Sequence, residues 1–324
     1  MLRTSAEGIN ESEGLVFSCL RNSKNRREMM YYFNYEEPVF RPPSEARSLI
    51  IQASIGCSQN HCTFCGMYKM KQFRVRPLAE VLGEVASVPV SHRPLVQRVF
   101  LGDGDGLVCP QEGLVAILDA LTAAFPNLNR VGAYASPRSL TTKTVEDLEE
   151  LCRKKLRILY FGLESGDNVT LQRVNKGFCS DEMAELALKA RQAGMKLSVT
   201  AILGLAGRGR SKEHALATAD WVNRVNPEYF SLLTLFHRHN DDFVRTLDQC
   251  SRRELMREAR EIVAHLNPAK TILRSNHVSN FLNLAGSYPK DRERFIADVD
   301  AALVRAEWIP GYLDGIPEYA EEYY

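Results

Sequence analysis

Short apolar runs alternate along this chain with longer stretches in which apolar positions recur every three or four residues. The runs at 48–53, 97–101, 130–135, 157–163, 196–203 and 229–236 are rich in β-branched or aromatic residues and end at polar or glycine turns, which predicts strands. Between them, Leu114–Leu121, Val145–Leu151, Asp181–Leu188, Ala215–Val225 and Glu254–Leu266 carry helical spacing. Ser180 stands where an N-cap is expected for the third of these helices, and Gly194, after Ala193, stands at its end. Alternating strands and helices imply parallel strands with right-handed crossovers. Six units predict a partial, open (β/α)6 barrel. Beyond it lie the run Thr271-Ile-Leu-Arg-Ser-Asn-His277 and a helix from about Asp291 to Arg305. The expected division is an N-terminal arm (1–44), a core (45–266) and an α-rich C-terminal cap (267–324). Residues 1–30 are polar, Tyr31-Tyr-Phe-Asn-Tyr35 is dense in aromatics that should pack, and Arg41-Pro-Pro43 breaks any regular element.

Composition narrows the class. The 324 residues carry 41 basic and 40 acidic side chains, a net charge of +1, so no large nucleic-acid footprint is written into the overall charge. A local basic patch is compatible with that balance. No apolar run approaches a membrane span, and residues 1–30 lack the apolar core of a signal peptide, so a cytoplasmic protein is expected. Five cysteines, Cys19, Cys109, Cys152, Cys179 and Cys250, are scattered without a paired framework, which suits a reducing compartment.

The other three fall within nine residues, in Cys57-Ser-Gln-Asn-His-Cys-Thr-Phe-Cys-Gly66, directly after the first strand. Thiolates are soft-metal ligands, and three on one loop can grip three corners of an inorganic cluster. A four-iron cluster held this way keeps one iron open for chemistry. A structural zinc normally takes four protein ligands, which His61 could complete here. A zinc-stabilised non-catalytic binding protein and an iron–sulfur carrier or redox sensor therefore stand beside an enzyme. In parallel α/β folds ligands sit at the carboxyl ends of the strands. The cysteine loop, Gly102–Asp105, Ser136, Glu164 and His237 all end or follow proposed strands, so they should converge on one mouth.

The loop resembles the cluster-binding motif of the radical S-adenosylmethionine (radical SAM) superfamily: three cysteines, with an aromatic, Phe64, before the third, at the end of the first barrel strand. Here the spacing is C-x4-C-x2-C, one residue longer than usual between Cys57 and Cys62. Leu101-Gly-Asp-Gly-Asp105 falls at the family's glycine-rich turn. Leu159-Tyr-Phe-Gly-Leu-Glu-Ser-Gly166, Leu171-Gln-Arg-Val-Asn-Lys-Gly177 and Ser198-Val-Thr-Ala-Ile-Leu-Gly-Leu205 resemble the Elongator-catalytic-subunit-like and methylthiotransferase-like branches. The likeness runs from about Ala46 to His237. It departs after the sixth strand, where His237-Arg-His-Asn240 replaces the usual Pro-Gly-Thr-Pro.

The resemblance implies a 4Fe-4S cluster on Cys57, Cys62 and Cys65, S-adenosylmethionine on the open iron, reductive cleavage of that cofactor, and hydrogen abstraction from a substrate. It also implies an electron donor of flavodoxin or ferredoxin type. By the same likeness Phe64, Gly102, Asp103, Gly104, Asp105, Ser136, Glu164, Arg173 and Leu203 are cofactor-binding candidates, Arg173 as partner of the methionine carboxylate. Plainer readings stay open. Asp103, Asp105 and Ser136 are good turn and helix caps, Glu164 could pair with a scaffold arginine, and Arg173 with Lys176 could be a solvated helix face. His237 and His239 face either substrate or solvent, and Arg274–His277 is a substrate-facing or capping segment. A small molecule or a peptide is the expected substrate. RNA is less favoured, because no appended RNA-binding module is visible.

Overall fold

The computed structural model describes residues 33–317, apart from Arg238 and Val278. The polar segment 1–30 expected as an arm, with Cys19, Tyr31 and Tyr32, lies outside them. The strands are β1 (Leu49–Gln52), β2 (Ser54–Ile55), β3 (Arg74–Val75), β4 (Arg98–Gly102), β5 (Arg130–Ala135), β6 (Leu156–Glu164), β7 (Lys196–Leu203), β8 (Tyr229–Thr234), β9 (Thr271–Arg274) and β10 (Ala285–Tyr288). The helices are α1 (Leu78–Ser87), α2 (Gln111–Ala124), α3 (Pro137–Thr141), α4 (Val145–Arg153), α5 (Asn168–Arg173), α6 (Ser180–Gln192), α7 (Ser211–Val225), α8 (Asp241–Thr246), α9 (Arg252–His265) and α10 (Arg292–Glu307).

One sheet carries the fold, in the order β1-β4-β5-β6-β7-β8-β9-β10, while β2 and β3 form a small hairpin beside it. Pairing is parallel from β1 through β9, and β10 returns antiparallel. The six predicted strands are present within two residues at each end. The sheet does not stop there: β9 pairs with β8, Tyr229 beside Ile272 and Ser231 beside Arg274. Its ends, β1 and β10, do not pair with each other, so this is an open partial barrel. An unpaired edge is a liability, and β1 is covered. The Tyr35 hydroxyl donates to Ile50 O at 2.5 Å, and the Gln52 amide bonds both N–H and C=O of Glu36.

Side-chain alternation sorts the two faces of the sheet. Leu159, Phe161 and Leu163 of β6, with Leu197, Val199 and Ala201 of β7, are buried in the main core under the helices. Phe161 stacks on Trp221 of α7, ring centroids 6.2 Å apart. The intervening residues Tyr160, Gly162 and Glu164, and Lys196, Ser198, Thr200 and Ile202, line the concave interior instead. The helix caps follow local chemistry, with one correction. Cys179, not Ser180, is the N-cap of α6: its sulfur accepts from Glu182 N, and the Glu182 carboxylate accepts from Cys179 N at 2.7 Å. Gly194 follows the C-cap Ala193 with φ of +82°, a conformation glycine adopts without a Cβ clash.

The carboxyl ends of β6 and β7 are tied to the helices by a buried polar chain. Ser165 Oγ meets His214 Nδ1 at 2.8 Å, His214 Nε2 lies 3.5 Å from Glu258, and Glu258 accepts from Gly204 N at 2.7 Å and from Ser211. His214 and Glu258 side chains are fully buried, so this chain of groups braces the strand ends. Next to it Gly166 packs backbone to backbone on α7: a Cβ there would stand 2.2 Å from Ala217 O. Gly166→Ala is therefore expected to destabilise the fold by about 2–3 kcal/mol in urea unfolding. Gly113→Ala, on a helix with open space around the position, should be neutral or slightly stabilising. Equal stability of the two variants would contradict this packing.

Candidate active site

A cavity of about 1480 Å³ runs along the concave face of the sheet. That is larger than the usual span of about 300–1,000 Å³ for a single small-ligand site. Cys57, Cys62, Phe64 and Cys65 line it at the carboxyl ends of the strands, with Gly104, Ser136, Glu164 and Lys176. Topology had placed these loops at one mouth, and the structure brings them together there.

The cysteine loop has little secondary structure, so neighbours hold it. From the turn after β4, Asp103 N donates to Ser54 O and Gly104 N to Gly56 O, each at 3.1 Å. The Asp103 carboxylate accepts from Gly56 N at 3.1 Å and pairs with Lys71 at 2.8 Å; both side chains are buried. Asp105 accepts from Ser58 and, at 2.6 Å, from the Ser136 hydroxyl. From the segment after α5, Val174 O accepts Thr63 N at 3.0 Å, Lys176 O accepts the Gln59 amide, and Asn175 donates to His61 O at 3.2 Å. Asn240, after β8, donates to Phe64 O at 2.6 Å. Three separate loops thus frame the thiols.

Those thiols are held protonated by their surroundings. Burial pushes Cys57 up to about 12 and Cys65 to about 11, and it also raises Cys62. A soft cation supplies the charge that turns such thiols into ligands, which is the chemistry this donor set fits. Among the described residues, no group of three or more His, Cys, Asp or Glu side chains is gathered as it would be to hold a metal ion. Close approach to the loop is possible because Gly104 has no side chain: a Cβ there would lie 2.9 Å from Cys57 Cβ and 2.8 Å from the Tyr68 ring.

Glu164 ends β6 with φ of +65°, a left-handed conformation that costs a non-glycine residue free energy and marks a position held by its surroundings. Its carboxylate folds back over Gly162, where a Cβ would stand 2.2 Å away, and pairs with Lys176 at 3.0 Å. Burial works against the charge on Lys176, but the carboxylate of Glu164 outweighs it and holds the ammonium above its ordinary pKa. The result is a fixed ion pair on the cavity wall beside the thiols.

The remaining sequence candidates are distributed differently. The side chains of Asp103 and Asp105 serve the loop scaffold and do not line the cavity; burial raises both carboxyl pKa values despite their donors. Gly102 and Leu203 also lie off the cavity, Leu203 in the main core. Ser136 lines it, yet its hydroxyl is engaged by Asp105 and caps α3. Arg173 turns away, its guanidinium on the carbonyls of Thr246, at 2.7 Å, and Ala206, and over the Phe243 ring. The basic group beside the cysteines is Lys176, which follows α5 and is no part of a solvated face. His237 and His239 are not on the lining, whereas Arg274, Asn276 and His277 are. Lys71 and Gln59 gave no sequence signal, since their roles depend on loops distant in the chain.

A parallel partial barrel with a three-cysteine loop after its first strand is the build of an iron–sulfur enzyme. The radical SAM superfamily model matches residues 51–222, more than half of the chain, and the chain belongs to that superfamily, whose enzymes use a 4Fe-4S cluster and S-adenosylmethionine. It is 24% identical over 225 residues to a tRNA-2-methylthio-N(6)-dimethylallyladenosine synthase of Trichlorobacter lovleyi, covering 66% of this chain and 49% of that protein. A second such synthase, from Dehalococcoides mccartyi, is 28% identical over 164 residues, covering 49% of this chain and 38% of the relative. The chain spans about half the length, or less, of these curated relatives. Among solved structures, coproporphyrinogen III oxidase (HemN) of Escherichia coli, a radical SAM enzyme, shares the fold with a TM-score of 0.52 at 19% identity, over 67% of this chain and 51% of that one. Among the described residues no helix is long and apolar enough to cross a membrane.

Lys71 carries more than its ion pair, since its ammonium also donates to Glu36 O and to Pro38 O at 2.5 and 2.6 Å. Lys71→Met would leave Asp103 buried without its cation, and is expected to cost about 3–5 kcal/mol in urea unfolding. Hydrogen exchange should rise first in residues 36–40 and 54–58. A loss below about 1 kcal/mol would contradict the role assigned to this pair.

Proposed function

We propose that this protein binds a 4Fe-4S cluster through Cys57, Cys62 and Cys65, cleaves S-adenosylmethionine reductively, and abstracts hydrogen from a small-molecule substrate. The observation that carries the proposal is the shared cavity: three cysteines, Cys62 buried and Cys57 and Cys65 half-buried, line one end of a space that continues along the inner face of the sheet. When bound, cluster and cofactor supply a deoxyadenosyl radical able to take hydrogen from an unactivated carbon. Lys176 would meet the carboxylate of the methionine end, and Glu164, 3.0 Å away, would keep that ammonium charged and fixed. Gly104 lets the loop backbone approach the cofactor closely. Thr200 and Ile202 form wall further along β7. Phe64, buried beside the thiols, helps keep water from them.

The curated relatives are named for tRNA products. We favour a small molecule here, because the lining faces inward along the sheet and the net charge is near zero. A flavodoxin- or ferredoxin-type donor would supply the electron. After anaerobic reconstitution and dithionite reduction with S-adenosylmethionine, chromatography should show 5′-deoxyadenosine. Cys57→Ala, Cys62→Ala and Cys65→Ala should each abolish it. Product formation surviving in any of these variants, or a full reducible cluster that yields none with the wild type, would overturn the proposal.

A further inference from the structure

The whole chain is nearly neutral, but its cavity is not. Among the described residues seven basic side chains line it against two acidic ones, Glu37 and Glu164. Glu164 is taken by Lys176, and Arg130 is paired with the buried Glu45 at 2.7 Å. Among the described residues, the side chains of Arg98, Lys196 and Arg274 make no hydrogen bond or ion pair, and Arg274 lies over the Tyr229 ring, at 5.9 Å.

All three are exposed residues, and each stands on the lining of the cavity. Lys196 opens the period-two series Lys196, Ser198, Thr200, Ile202 that lines the interior from β7. Arg98 is the first residue of β4, two before Phe100, which packs on Tyr134 and Tyr160 in an aromatic cluster apart from the main core. Arg274 ends β9 beside Ser231 of β8, and Ser231 is itself on the lining. Lys196 and Arg98 stand at the amino ends of their strands, whereas the thiols stand at the carboxyl ends. Seven residue steps of β7 correspond to roughly 23 Å at about 3.3 Å per residue, so Arg98 and Lys196 lie well away from the cysteines; Arg274 ends its strand, but its guanidinium lies over the ring of Tyr229, the first residue of β8.

We propose that Arg98, Lys196 and Arg274 form a subsite for the anionic group of the substrate, a carboxylate or phosphate, which anchors the molecule so that its reacting carbon points towards the cysteine end. This rests on the reading of the cavity as the active site. Unpaired cations with hydroxyl neighbours supply charge-assisted donors for oxyanions, and Arg274 adds a bidentate fork. Tyr229, Tyr134 and Tyr160 give the body of such a substrate an aromatic wall.

The test needs no turnover. Full-length protein, reconstituted with its cluster and kept anaerobic at low salt, would be titrated calorimetrically with citrate, with inorganic pyrophosphate and with an RNA hairpin, alongside Lys196→Gln, Arg274→Gln and the double variant. Citrate or pyrophosphate should bind the wild type at millimolar or tighter affinity, about tenfold weaker in each single variant and beyond detection in the double. Preference for citrate would mark a carboxylate, and preference for pyrophosphate a phosphate. Unchanged anion binding in the double variant, no binding of either anion, or binding of the hairpin alone would overturn the proposal. The failure is separable from that of the reaction class: with the subsite wrong, 5′-deoxyadenosine would still form and depend on the three cysteines.

Discussion

Two buried carboxylates carry the rest of this structure. A loop bearing three thiols cannot hold its own shape, because too few of its backbone groups pair with each other. Asp103 and Asp105, on the turn after β4, take up the donors that the loop presents: Gly56 N, the Ser58 hydroxyl and the Lys71 ammonium. Burying carboxylates this deeply is unfavourable, as their raised pKa values show, and it is tolerated because each is surrounded by donors. The same Lys71 ties down the chain leading into β1. Removing Asp103 would loosen the loop and the entry segment together, and removing Asp105 would free the loop from Ser136 at the mouth.

From that anchor the site follows by geometry. Parallel strands deliver their carboxyl ends to one side, and alternation along each strand separates a buried outer face from an inner face of mixed polar and apolar side chains. The strained Glu164 and its partner Lys176 place a compact ion pair where the loop and the barrel wall meet. A superfamily in which one scaffold serves many reactions leaves specificity to the inner face. In this chain that face carries tyrosines, serines and cations alongside aliphatic residues such as Ile158 and Ile202.

Much of this was legible in the residues. The six strands and the helices between them came from periodicity, since each buries a continuous outer face. The cysteine loop came from ligand spacing, and the match of Leu159–Gly166 and Leu171–Gly177 to a family pattern marked the segments that frame it. What stayed hidden depends on contacts between distant parts of the chain. Four residues, Thr271–Arg274, followed by Ser-Asn-His do not announce β9, whose status as a strand depends on β8 beside it. The resemblance singled out Arg173 and not Lys176, and only the packing of Phe243 and Thr246 shows that Arg173 turns away. A capping cysteine is rare enough that Ser180 looked the better choice. Nor could the sequence tell that Asp103 and Asp105 point into the scaffold, because either aspartate could equally serve a cofactor.

The central claim is that this one loop holds a cluster with an iron left free for S-adenosylmethionine. Mössbauer spectroscopy of protein reconstituted with ⁵⁷Fe, before and after adding S-adenosylmethionine, tests it most directly. The account requires a 4Fe-4S spectrum in which one iron site alone shifts on addition, and which is lost when Cys57, Cys62 and Cys65 are replaced by alanine. A spectrum unmoved by S-adenosylmethionine, or iron retained in the triple variant, would contradict it.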